Sequence, residues 1–130
     1  FSRAGVGNVH AIAHTLGGLY GTAHGLANAV LLPIVLEDYG AAAYPRLARL
    51  AHLVGIQEAS AEASARAFIA EIRAMNARMG IPDHFDCIRS EDIPLMASWA
   101  CREANPIYPV PVIYDQARFA RVIERSCVKP

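Results

Sequence analysis

A chain of 130 residues is one domain's worth: long enough to bury a single core, short for an enzyme carrying its own nucleotide-binding half. Hydrophobic residues at 54% and charged residues at 18% exclude a disordered chain, and twelve Lys plus Arg against twelve Asp plus Glu leave no basic surplus, which excludes nucleic acid as a partner. The longest apolar run, Ala27 to Leu36, is interrupted by Asn28 and Pro33 and falls far short of the ~20 residues of a bilayer span, so a soluble protein with no membrane partner is expected.

In chain order, NVHAIAHTLGGLY places Val9, Ile12, Ala13 and Leu16 at helical spacing, which predicts a helix from about Asn8, as N-cap, to Leu16. Gly17, Gly18 and Gly21 predict a turn after it. The next segment, Gly25 to Tyr39, is apolar nearly all round. It reads as a buried central helix, kinked or briefly broken at Pro33.

Pro45 suits the first turn of a third helix running to about Val54. A fourth, Glu58 to Met79, is expected to bury Ala65, Phe68, Ile69, Ile72 and Met75 along one stripe, with Glu62, Arg66, Glu71 and Arg73 largely elsewhere; Gly80 and Pro82 end it. Ser90, Ile93 and Pro94 open a fifth helix bearing Trp99 and Cys101. The stretch 105–112 holds three prolines and must be extended, a candidate short strand, and Asp115 caps a last helix to about Ser126. The predicted architecture is all-α, a helical bundle.

Cys87, Cys101 and Cys127 have no CxxC spacing, so neither a disulfide framework nor a cysteine zinc site is implied, and a reducing cytoplasm fits. The chain opens on Phe1 rather than Met with no charged-then-apolar leader, as expected of a sequence that starts partway through a longer protein. Gly5-Val6-Gly7 resembles part of a dinucleotide fingerprint, but the third glycine is missing and no strand precedes it.

His10 and His14 lie four apart, which puts both imidazoles on one helical face about one turn apart. Satisfied helical histidines often share this spacing, and Ala11 stands where a zinc-protease helix has Glu. On one continuous helix His24 would stand about 21 Å from His10, too far for a shared ion. A reversal at the glycine cluster is therefore required before the two could meet.

The run HAIAHTLGGLYGTAHGLANAVLLP resembles the signature of the iron-containing (group III) alcohol dehydrogenase family. MGIP at Met79 to Pro82 is similar to the end of that family's long helix, and Asn105-Pro106 with YPVPVIYD to its closing segment. The resemblance implies that residues 1–130 form the family's C-terminal all-helical metal-binding domain. It further implies that His10 and His24 bind a divalent metal, Fe2+ or Zn2+, and that His14 lies near the nicotinamide and the proton path. A Rossmann-like domain binding NAD(H) or NADP(H) would be joined N-terminally, and the substrate would be a small alcohol or aldehyde.

In the family the metal site is completed by an Asp-x-x-x-His arrangement upstream of Phe1, so this chain alone is expected neither to keep metal nor to turn over substrate. Phe1 and Cys101 resemble substrate-pocket positions, although a terminal Phe and a buried Cys are as easily plain packing. His52 and His84 have no partner spacing and are read as surface or satisfied histidines. Trp99, Tyr108 and Tyr114 are read as core and interface packing. A maleylacetate reductase-like domain is a near alternative, glycerol dehydrogenase and dehydroquinate synthase relatives fit less well, and a non-catalytic helical module that self-associates is the alternative of a different class. A homo-oligomer is left open.

Overall fold

A computed structural model describes residues 3–104 and 114–128, with the side chains of residues 3–7 and of His24 outside the description. Among the described residues the chain forms six α-helices: α1 (Arg3–Tyr20), α2 (His24–Tyr39), α3 (Tyr44–Leu53), α4 (Ala61–Arg78), α5 (Ile93–Ala104) and α6 (Gln116–Ser126). Short 3₁₀ turns at Gly40–Ala42 and Ser90–Asp92 follow α2 and lead into α5. No strand occurs among the described residues, and no single helix there is long and apolar enough to cross a membrane. The candidate strand at 105–113, Tyr108 and Phe1 lie outside them.

Helix α2 is central because it is apolar on every side: it packs on α1, α4 and α6, and Ala27, Val30, Leu31, Ile34, Val35 and Leu36 are all buried. Helices α3 and α4 pair with each other, while α1 packs on α5 and α5 on α6. The core joins Val9, Ile12 and Leu16 of α1 to Met96, Ala97 and Ala100 of α5 and to Phe119, Val122 and Ile123 of α6.

The first helix corrects the prediction at both ends. Asn8 is not an N-cap but a fully buried residue inside α1, and its Nδ2 donates to the Tyr39 hydroxyl at 3.0 Å. Gly17 and Gly18 do not break the helix. Each costs up to about 1 kcal/mol of helix propensity, but Leu19 and Tyr20 beyond them still pack against the core. The stop is Gly21, whose φ of 67° lies in the left-handed region that ends a helix and that glycine adopts without a Cβ penalty.

Pro33 likewise leaves α2 as one helix. Lacking an N–H, it cannot bond the carbonyl four residues back, and that carbonyl, of Ala29, instead accepts from Asn76 Nδ2 of α4 at 2.8 Å. The α4 stripe holds for Ala65 and Ile69, with Phe68 and Ile72 half-buried at the edge of the core. Met75 was expected inside but is 46% exposed, since Asn76 takes the position facing α2 and its neighbour is turned about 100° away. Trp99, read as core or interface packing, is 38% exposed on α5.

Asp115 caps α6 as predicted, its Oδ1 accepting from the Arg118 N–H at 2.8 Å. Arg118 then clasps the end of α2. Its Nε donates to Asp38 Oδ2 and its Nη2 to the Asp38 carbonyl, both at 2.8 Å, and the guanidinium lies 5.0 Å from the Tyr114 ring centroid. Tyr114 is fully buried edge-on against Tyr39 and Phe119, with centroids 5.7 and 5.1 Å away. Burial pushes the Tyr39 phenol up to about 12, and burial, then the adjacent Asp38 carboxylate, raises Tyr114.

Candidate functional site

Helix α1 turns Val9, Ile12, Ala13 and Leu16 into the core and carries His10 and His14 at the margin of that face. The two rings stack one turn apart, as their spacing predicts, with centroids 6.0 Å apart and planes tilted by 50°. His10 is half-buried, whereas the His14 side chain is 51% exposed. His14 has a partner that the spacing could not reveal. Its Nδ1 lies 2.8 and 2.7 Å from the two carboxylate oxygens of Glu103, near the end of α5.

Two contacts hold α1 and α5 antiparallel, and so place that pair. At one end the Tyr20 hydroxyl donates to Asp92 Oδ2 at 2.6 Å and accepts from the Arg89 N–H at 3.1 Å; burial, then the bond to Asp92, raises the Tyr20 phenol above its usual value. At the other end sits the His14–Glu103 pair. Between them the small residues Ala97 and Ala100 of α5 are buried, as is Ala104 just past Glu103, which lets the two helices approach. Glu103 stands 89 residues from His14 in sequence. The only trace of it in the sequence is an acid three residues after Ala100, bordering the apolar stripe.

His24 is the first residue of α2, after a turn at residues 21–23. Because α1 continues to Tyr20, about 15 Å beyond His10 along the axis, that turn must double back for the two histidines to meet. It starts to: the Thr22 carbonyl lies 3.9 Å from where a Cβ on Gly17 would sit. The convergence of His10 with His24 lies outside the described residues. Among the described residues no three His, Cys, Asp or Glu side chains gather into a metal site. Two imidazoles suit iron or zinc but are about half a usual donor set, so they fit a divalent ion only as part of a larger site.

Cys101 lies on α5, half-buried against the core, its Sγ 3.9 Å from the Tyr114 carbonyl oxygen. Phe1, the other expected pocket residue, lies outside the described residues. His52 is exposed at the end of α3. His84 is held by Asp83 at Nδ1 (2.6 Å) and by Asp86 at Nε2 (3.1 Å), and the Asp83 hydrogen bond above all raises its pKa from the usual 6.5. Gly5, Val6 and Gly7 lie in α1, so they form no phosphate-binding turn.

The fold and this surface define an all-α domain that presents a histidine-bearing helix beside the opening of a second. The description "Fe-containing alcohol dehydrogenase family, C-terminal" matches residues 1–126, and the chain belongs to that family. It is 39% identical over 115 residues to lactaldehyde reductase of Escherichia coli (strain K12), covering 82% of this chain and 30% of that protein. It is 42% identical over 110 residues to 1,3-propanediol dehydrogenase of Klebsiella pneumoniae, covering 81% and 28%. The crystal structure of a 1,3-propanediol oxidoreductase superposes with a TM-score of 0.83 at 35% identity, over 92% of this chain and 32% of that one. An alcohol dehydrogenase from Oenococcus oeni gives 0.80 at 30% identity, over 91% and 32%. The chain thus spans about 30% of the length of the curated relatives it matches.

Proposed function

We infer that residues 1–130 serve as the C-terminal metal-binding domain of an NAD(P)-dependent, divalent-metal-dependent alcohol dehydrogenase that interconverts small alcohols with aldehydes or ketones by hydride transfer. The observation that carries this reading is the family match over residues 1–126, which contains His10, His14 and His24. The relatives lactaldehyde reductase and 1,3-propanediol dehydrogenase support, by their names, a small oxygenated substrate. Another relative is named an NAD-dependent methanol dehydrogenase, which supports a nicotinamide coenzyme.

In this reading His10 and His24 supply two neutral imidazoles to Fe2+ or Zn2+, and a preceding Rossmann-like domain supplies the remaining ligands and most of the coenzyme site. The metal's contribution when bound is Lewis acidity toward the substrate oxygen. His14 faces the nicotinamide and belongs to the proton path, a role suited to an imidazole because it titrates near neutrality. Phe1 and Cys101 line the substrate pocket. Three cysteines without CxxC spacing support a reducing, cytoplasmic setting.

The test is anaerobic titration of Fe(II) and Zn(II) into this chain, into the same chain extended N-terminally, and into His10→Ala and His24→Ala forms of both. The expected result is weak binding by the chain alone, tight stoichiometric binding by the extended protein, and loss in either variant. Binding unchanged in both variants overturns the ligand assignment. Tight binding by the chain alone overturns its dependence on the preceding domain.

A further inference from the structure

Helix α4 packs on α3 and α2 but keeps an apolar strip uncovered. Phe68, Ile72, Met75 and Met79 follow one another at steps of four, three and four residues, the spacing of the seam between two packed helices, with Phe68 and Met75 as d positions and Ile72 and Met79 as a positions. Phe68 and Ile72 are half-buried, whereas Met75 is 46% and Met79, at the C-cap, 62% exposed. Beside the seam lies a groove of about 670 Å³, lined also by Leu32 of α2 and by Val54 and Ile56 after α3. Apolar surface gathered in this way costs free energy in water and marks a place of association.

The charges beside the strip select its occupant. The residue before each a position is charged, and the two signs are opposite: Glu71 and Arg78. On the other edge of the seam Asn76 is already committed to α2 through the Ala29 carbonyl. Within one chain Glu71 and Arg78 pair at 3.0 Å, but their side chains are 48% and 63% exposed, where an ion pair contributes little. Reversing one of two packed helices brings the same edge of both to the same side, so these flanking residues meet their own kind. If Ile72 packs on Met75 of a second α4, and Phe68 on its Met79, Glu71 of each copy stands opposite Arg78 of the other. A parallel pair would instead set Glu71 against the uncharged Asn76.

We propose that this strip docks a second copy of the same chain, with the two α4 helices antiparallel and Glu71 of each paired to Arg78 of the other. The surface lies apart from the histidine site, so the proposal goes beyond the alcohol dehydrogenase reading and does not depend on it. The seam runs only about 17 Å along the helix, which makes the dimer concentration-dependent rather than permanent.

Sedimentation velocity of this chain over a roughly hundredfold range of concentration tests the proposal, with far-UV circular dichroism to check that every variant folds. Wild type should pass from monomer to dimer, and Met75→Glu, which places charge on the seam at an already exposed position, should remain monomeric. Glu71→Arg and Arg78→Glu each set like charges opposite one another twice in the dimer, so each alone should dimerise about tenfold more weakly or worse. Mixed in equal amounts, those two variants should form a heterodimer, because every cross pair is then of opposite sign. An ion pair that served only within one chain is broken in both variants and gives no such recovery. A wild-type chain that stays monomeric leaves the strip to some other occupant and overturns the proposal. A dimer indifferent to Met75→Glu places the contact elsewhere and overturns it too, and a mixture no more associated than its components refutes the antiparallel pairing.

Discussion

Replacing Asn76 by alanine tests how this fold keeps a proline inside its central helix. The Ala29 carbonyl has lost its helical donor to Pro33 and accepts from Asn76 Nδ2 at 2.8 Å, in a part-buried position between α2 and α4. Removing that donor leaves a partly covered carbonyl unsatisfied, which costs about 1–2 kcal/mol, the lower part of the range for buried groups because water retains some access. For a domain of this size the loss corresponds to a fall of about 3–8 °C in Tm. Pro33→Ala restores an N–H that can bond the same carbonyl, so in that background Asn76→Ala should cost roughly 0.5 kcal/mol or less. The coupling between the two sites should therefore be about 1 kcal/mol. Urea unfolding of the four proteins, followed by far-UV circular dichroism, measures it. Equal costs in the two backgrounds would refute the compensation of Pro33 by Asn76.

Two further expectations follow from local geometry. Gly18 is exposed within α1 with nothing within 4 Å of a Cβ added there, so Gly18→Ala should raise stability by about 0.5–1 kcal/mol, whereas Gly21→Ala, at φ 67°, should lower it by about 1 kcal/mol. A helix that ended at Leu16 would not give these opposite signs. His84 is protonated more readily in the folded chain than at its usual 6.5, chiefly through Asp83, so its pairing contributes stability that is fully present below that pH and lost as pH rises through the raised folded value. Urea midpoints of wild type and His84→Gln should therefore converge as pH rises through and past neutrality, and a gap that widens would contradict the pairing.

Much of the fold was legible because its signals are local. The apolar surround of α2 marked it as central, Asp115 announced the start of α6, and the four-residue step from His10 to His14 placed both rings on one face. Errors arose where a local preference met a tertiary demand. Gly17 and Gly18 lower helix propensity, yet the packing of Leu19 and Tyr20 carried α1 past them, and only the left-handed Gly21 ended it. Asn8 suits a cap by its chemistry, but the Tyr39 hydroxyl across the helix pair gave it a buried partner.

For the site, the histidine spacing is a property of neighbouring residues, so the sequence by itself determined which imidazoles share α1 and to which family the chain belongs, whereas it began the second helix at Gly25 and only the structure placed His24 as its first residue. Contacts between helices are not written in either helix. That Glu103 meets His14 across 89 residues, that Asn76 answers for Pro33, and that Arg118 closes the end of α2 were decided only when the packing of the apolar faces set the helix registers. Burial drives that packing without direction, and the polar partners at its margins are selected afterwards, by distance and geometry.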